Sequence, residues 1–569
     1  MKRFIVGFFA VIGVIAVMLV VTVGVAGYAV WQSLVVPRPE LPERILLTLD
    51  LRGTLDNAGG PDPVGLLTGE ARPGLDEVLL ALDAAAADPR VAGIVARIDA
   101  TAHGFAAAEE LRAAIARLRK AGKRALVHAE SFGEGGPGNE GYFVATAFDE
   151  IWMQPGGLVA ITGLSVEMPF LRGLLDRIGV APEVLRREAY KTAFESFTER
   201  APTAANREMM EAILDDLFAR FREGIGEGRG LDPATVARLV DEAPFTGEEA
   251  LAAGLLDRIG YYDEMLEAAR TAVPEAEEVA LGDYAAALAN GEEAPVVAFV
   301  HASGTILPGE IPAAEGIGSE TLREALAAAL EDEQVTAVLL RLDSPGGSAV
   351  ASISIARAID RLRAAGKPVV VSMVNTAASG GYWIASRADR ILASPATLTG
   401  SIGVISGKPV LAGLWRNLEV DWASLRRGRN AGIWSFNEPY DADARQRMER
   451  VLDDLYARFK ATVAEGRGLS PEEVEAAAKG RIWTGRQALE RGLVDRLGGL
   501  REALAELRSL LGLEAEAALD LVPFPPPGGP LEWLLALRRE FGGLLRLARE
   551  LRAVAGPPGL ASAPPITVR

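Results

Sequence analysis

The sequence predicts an α/β protein in which two tandem copies of one domain follow a single N-terminal transmembrane helix. Three observations predict it. Segments of the first half recur in order in the second at a spacing of roughly 240 residues, far beyond the ~20–50 of solenoid repeats. Within each copy, short apolar runs alternate with longer amphipathic ones, the pattern of strand–helix units and mostly parallel sheets. The chain also opens on one long uncharged run, from Phe4 to Pro37.

The repeat rests on matched segments that keep their order. Residues 91–99 match 335–343, and 185–187 match 425–427. Residues 214–221 match 452–459, 228–231 match 466–469, and 245–258 match 483–496. The expected organisation is an anchor over 1–40, a first repeat over 41–292 and a second over 293–522, with the seam near 291–295. Residues 45–50 and 296–300 read as buried strands, and 322–330 and 353–364 have helical apolar spacing. Gly366-Lys367-Pro368 is a turn leading into a strand over 369–374. Residues 523–569 are expected to form a proline-rich breaker and then a helix over 531–554. That helix suits either a membrane surface or a protein face.

The apolar run exceeds the roughly 20 residues a bilayer core requires and the roughly 7–15 of a secretory h-region. A retained anchor is therefore expected, although Val25–Ala29 offers small residues of the kind a cleavage site uses. Lys2 and Arg3 precede the run, while Arg38 and Arg44 beyond it are offset by Glu40 and Glu43. The positive-inside rule puts the N-terminus in the cytoplasm and the rest of the chain outside, on the cytoplasmic (inner) membrane.

Composition narrows the chemistry. The formal net charge is −18, from 59 Lys and Arg against 77 Asp and Glu. An acidic chain with no basic stripe argues against nucleic acid as a partner. The absence of Cys excludes thiol nucleophiles and Cys-ligated zinc. The three His are scattered, so no metal or other cofactor is expected.

Two asymmetries between the repeats mark a site. The second repeat carries Ser379 in the stretch 375–382, beside Gly380 and Gly381, whereas the matching stretch 138–142 has no serine. The first repeat carries Lys191, whereas the matching place around Ala431 has no lysine. Small neighbours let a chain turn sharply at a nucleophile, and a helix starting at Gly380 or Gly381 would favour a developing anion. Asp343-Ser344-Pro345-Gly346-Gly347 ends a strand with paired glycines able to aim N–H groups at an oxyanion, a pair the first repeat lacks. A serine nucleophile needs a base, and a buried lysine can be one because desolvation disfavours its ammonium. From the residues alone, Ser379 reads equally as an N-cap and the glycine pair as an ordinary turn, while Lys191 reads first as a solvated surface lysine.

These motifs resemble the signal peptide peptidase A family in its long, duplicated, membrane-anchored form. The resemblance runs from the anchor to about residue 521, through the residues just named and Thr399-Gly400-Ser401-Ile402-Gly403. It implies tandem crotonase/ClpP-like domains and a serine protease with a Ser/Lys dyad. Ser379 would be the nucleophile and Lys191 the base, with Ser401 orienting the lysine and Gly346 and Gly380 forming the oxyanion hole. It also implies a homotetramer that degrades signal peptides and other membrane-derived peptides at the lipid surface. A crotonase-type acyl-CoA enzyme and a non-catalytic envelope scaffold are the alternatives.

Overall fold

The computed structural model describes residues 40–57, 73–101, 103–288, 294–313 and 315–525. The expected anchor, the seam at 291–293 and the expected C-terminal helix lie outside the described residues. Among the described residues, no helix is long and apolar enough to cross a membrane.

Two parallel sheets carry the fold. The first draws its strands from Ile45–Asp50, Val91–Ile98, Arg124–Ala129, Glu150–Met153, Arg258–Ile259 and Glu277–Ala280. The second is built round Val296–Ser303, Val335–Ser344, Val369–Ala378 and Arg390–Ala393, with Asp520–Pro523 along one edge. The registers correspond: Leu47 lies opposite Ile94 in the first sheet and Ala298 opposite Val338 in the second. The strand predicted over 369–374 runs four residues further, to Ala378, and delivers its end directly into the serine turn. The two expected helices begin earlier than their apolar spacing suggests, at Ser319 and Ala349. For the second, the Ser348 hydroxyl accepts from the Ala351 N–H and caps the first turn.

Duplication is visible in individual contacts. Tyr142 donates its hydroxyl to the Leu255 carbonyl at 2.7 Å, and Tyr382 donates to the Leu493 carbonyl at 2.9 Å. Helices Ala204–Arg229 and Ala442–Arg467 both have 26 residues, and both end on a left-handed glycine, Gly230 and Gly468.

The sheets stack through helices. The second sheet buries one face against Ser319–Glu331 and Ala349–Ala364. Its other face packs on the first repeat's helices Leu75–Ala87 and Phe105–Lys120, in one continuous core. Burial on both faces explains why strand 335–344 reads as a nearly unbroken apolar run. Its one buried cation, Arg341, reaches across to Asp76 at 2.9 Å and Glu110 at 2.9 Å in the first repeat. A charge so deeply buried requires such partners.

The join that positions the site is a short antiparallel ribbon. Strand Ala181–Arg186 of the first repeat leaves its own sheet and pairs with Ile405–Val410 of the second, Val184 opposite Gly407. The Arg187 N–H donates to the Val404 carbonyl at 3.0 Å, and the Arg187 guanidinium pairs with Asp453. Glu183 accepts from the Tyr440 N–H at 2.7 Å and pairs with Arg445. These bonds carry the chain into the second repeat just before Lys191.

Candidate active site

Ser379 joins strand Val369–Ala378 to helix Gly380–Ala385 with φ 55° and ψ −118°. A non-glycine residue in that region is strained and needs surrounding structure to hold it. Its N–H donates to the Gly400 carbonyl at 2.9 Å, and its carbonyl accepts from the Trp383 N–H at 2.9 Å. The turn resembles the strand-to-helix elbow that exposes a nucleophile above a sheet. The neighbouring glycines are required by crowding: a Cβ on Gly380 would lie 2.5 Å from Ser352 Oγ, and one on Gly381 2.9 Å from the Ser344 carbonyl oxygen.

Lys191 is buried, with 6% of its surface exposed. Its Nζ lies 2.9 Å from Ser379 Oγ, 2.9 Å from the Ser401 carbonyl oxygen and 2.9 Å from Ser401 Oγ, all within one chain. Among the described residues no carboxylate pairs with it, and burial alone lowers its pKa from 10.5 to about 7. A neutral amine has two N–H donors and one lone pair. The two Ser401 oxygens can take the donors, which leaves the lone pair for the Ser379 hydroxyl proton. Ser401 is itself held at φ 51° by its N–H bond to the Arg481 carbonyl at 2.7 Å.

The glycine pair stands beside Ser379. A Cβ on Gly346 would lie 2.7 Å from the Gly380 nitrogen, so no side chain fits there. The Gly346 N–H donates to Ser344 Oγ at 3.2 Å. The N–H groups of Gly347 and Gly380 have no hydrogen-bond partner among the described residues, and both residues line the groove at Ser379.

That groove has a volume of about 490 Å³. Its walls were not foreseen from the sequence: Trp383, Val404, Met448, Leu452, Leu455 and Phe459. The Trp383 and Phe459 rings stack 4.3 Å apart at 9°. The spacing of Met448, Leu452, Leu455 and Phe459 does give an apolar stripe on helix Ala442–Arg467, but the same spacing describes any helix facing a core.

The first repeat has the matching helix start, without the strained turn and without its chemistry: helix Asn139–Ala145 begins at Asn139 itself, with nine residues, 130–138, between it and the end of strand Arg124–Ala129. Asn139 occupies the place of Ser379 and gives its amide to the Gly163 carbonyl at 2.7 Å. Glu140 replaces Gly380, and its carboxylate accepts from the Gly104 N–H at 2.8 Å. His301 bonds to Asp76 at 2.9 Å, in the contact between the repeats.

The profile of peptidase family S49 matches residues 117–274 and 361–514, one stretch in each repeat. The chain is 30% identical to "Serine protease SPPA, chloroplastic" of Arabidopsis thaliana, over 79% of this chain and 68% of that protein. It is 29% identical to "Protease 4" of Haemophilus influenzae, over 78% of this chain and 74% of that one. Among solved structures, a ClpP1 mutant from Listeria monocytogenes matches 36% of this chain and 94% of its own at 17% identity. Its TM-score of 0.24 is too low to bear on the fold. Matches in both repeats, and over most of two proteases, favour neither an acyl-CoA enzyme nor a scaffold. The chain belongs to peptidase family S49 and is a serine peptidase of the SppA/Protease 4 kind.

Proposed function

We propose that the chain is a membrane-anchored endopeptidase that hydrolyses cleaved signal peptides and similar apolar peptides, with Ser379 as nucleophile and Lys191 as general base. The observation that carries this reading is the 2.9 Å contact between Lys191 Nζ and Ser379 Oγ, with both Ser401 oxygens fixing the amine. The neutral amine takes the hydroxyl proton as Oγ attacks the peptide carbonyl carbon. The resulting oxyanion is received by the Gly380 N–H and by the Gly346–Gly347 turn. The ammonium then protonates the leaving amine, the C–N bond breaks, and an acyl-enzyme forms. Water, deprotonated by the same lysine, releases the acid.

The apolar groove supports an apolar substrate class, such as the hydrophobic stretch of a signal peptide. The anchor rests on the run from Phe4 to Pro37, with the catalytic part on the extracytoplasmic side. The test is hydrolysis of a signal-peptide substrate by the full chain in detergent and in vesicles. Ser379→Ala and Lys191→Ala should each abolish turnover while preserving the thermal transition. Activity of Lys191→Ala within a few-fold of wild type would remove lysine from the mechanism.

The homo-oligomeric reading has support from two unpaired extended segments of irregular structure. Within the chain, 181–186 pairs with 405–410. The equivalents of those strands in the opposite repeats, 421–426 and 165–170, pair with no strand among the described residues. Leu185 is 5% exposed in the paired ribbon, whereas its counterpart Leu425 is 98% exposed. Val166, which the same register sets opposite Leu425, is 48% exposed. Pairing 421–426 of one subunit with 165–170 of the next would repeat the internal ribbon between chains, a head-to-tail contact of the kind from which a ring such as a homotetramer is built.

A further inference from the structure

The dyad crosses from one repeat to the other, so something must fix the lysine's backbone against the serine's sheet. The ribbon ends at Arg187, four residues short of Lys191. The remaining contacts come from a loop late in the second repeat. The Tyr190 N–H donates to the Lys479 carbonyl at 3.1 Å. The Gly480 N–H donates to the Ile402 carbonyl at 2.8 Å, and the Arg481 carbonyl accepts from the Ser401 N–H at 2.7 Å. Three consecutive residues therefore bond the lysine's segment on one side and the Ser401 segment on the other.

Gly480 is the point of closest approach. A Cβ there would lie 2.6 Å from the Lys191 nitrogen, 2.7 Å from its Cβ and 2.8 Å from its Cα. Backbone atoms cannot swing aside as a side-chain tip can. Gly480 also has φ +79°, a conformation that glycine adopts without penalty. On the far side, Gly403 leaves room for the lysine's own chain: a Cβ there would lie 3.3 Å from Lys191 Cδ. A polar tie closes the outside. Glu208 accepts from the Tyr190 hydroxyl at 2.9 Å and from Arg481 Nη1 at 2.5 Å, and the Arg481 guanidinium lies 4.9 Å from the Tyr190 ring centre.

We propose that Gly480 is a positioning residue for the peptidase reaction, its bare Cα forming the slot that seats the Lys191 backbone so that the amine meets Ser379 and Ser401. The Tyr190–Glu208–Arg481 tie holds the slot closed. This inference rests on the Ser379/Lys191 reading. It assigns a role to a loop that touches neither substrate nor the reacting atoms.

Most charged groups on the surrounding elements have partners, while Glu188 on the lysine's own segment and Glu199 along the same cleft form no ion pair among the described residues. Glu195 is held by Arg186, Thr203 and Asn206, Glu183 by Arg445, and Glu208 by Arg481. None of them forms an ion pair with Lys191 among the described residues. Displacing the lysine from its slot therefore exposes it to water and to the unpaired Glu199, both of which favour its ammonium.

The experiment compares the full-length wild type, Gly480→Ala, Tyr190→Phe and Lys191→Ala. It measures kcat and KM on a peptide substrate against pH, together with the thermal transition. Gly480→Ala should lower kcat about a hundredfold, the scale of a ~1 Å misplacement, with KM within about threefold. Its activity midpoint should move upward in pH as the amine gains water. Tyr190→Phe, which removes only the outer bond, should fold normally and move the midpoint in the same direction with a smaller loss of kcat. If Gly480→Ala fails to fold, Tyr190→Phe alone decides: an upward midpoint supports the slot, and a wild-type profile overturns it. A folded Gly480→Ala with wild-type kcat and midpoint overturns it as well. Lys191→Ala separates the two levels. If it is inactive while Gly480→Ala is normal, only the slot fails. If it is active, the dyad reading fails.

Discussion

At the scale of residues, burial and geometry give one lysine its chemistry. Lys191 has no carboxylate partner among the described residues, so its ammonium is disfavoured by burial alone and its pKa falls to about 7. Activity should rise with pH through a midpoint near 7 as the amine loses its proton, measured as kcat on a peptide substrate. The same shift affects stability. The folded state releases this proton near pH 7 and the unfolded chain near 10.5. Between those values the unfolded chain binds more protons, so the fold loses stability as pH falls from 10.5 to 7 and loses no more below. Replacing the amine by an apolar side chain removes that cost. Lys191→Met should be inactive yet more resistant to denaturant, with a linkage gain of about 3 kcal/mol at pH 8. A stability equal to or below wild type at pH 8 would mean the lysine is not held neutral. Ser379 and Lys191 could be singled out from sequence because each is present in one repeat and missing from the other. Gly480 could not, since a glycine's value lies in what its missing side chain would strike.

At the scale of elements, the ribbon of 181–186 and 405–410 does what no motif announces. It detaches a segment from the first repeat and lays it along the second, with its register fixed by six paired residues. Helix Ala442–Arg467 then supplies the groove wall. Leu452 lies on that wall beside the Trp383–Phe459 stack. Leu452→Trp should narrow the groove and lower kcat/KM for peptides with large apolar side chains at the cleavage site by about tenfold or more, the order expected when an apolar pocket loses room. Peptides with alanine at that position should be spared, and a series of peptides varied there would read the difference. Equal losses across the series would place Leu452 outside the specificity pocket. The strands and long helices were legible because their apolar periodicity is local. The ribbon was not, because each of its strands is short and its partner lies more than 200 residues away.

At the scale of the whole molecule, each chain brings Ser379 and Lys191 together once, while the matching positions of the opposite repeats carry Asn139 and Ala431. Because Lys191 and Ser379 meet within a chain, mixing Ser379→Ala with Lys191→Ala should restore no activity, even in a mixed oligomer. Recovery toward a quarter or more of wild-type turnover would mean that the sites are shared between chains. The exposed segment 421–426 makes a separate claim. Leu425→Asp should shift the sedimentation of the detergent-solubilised protein toward the monomer and leave the dyad's pH profile unchanged. Unaltered sedimentation would exclude this segment as the contact between subunits.

The sequence by itself determined the duplication, the α/β class, the resemblance to a peptidase family and the two residues, Ser379 and Lys191, that the proposed chemistry needs. These are carried by local periodicity, by order-preserving repeats and by residue types that only certain reactions require. Tertiary structure alone decided that Lys191 meets Ser379 within one chain, that the lysine is buried, and that Met448, Leu452 and Phe459 line the groove. Those properties depend on distances between segments far apart in the chain. Two copies with nearly the same pattern become unequal only when one segment of the first is folded onto the second.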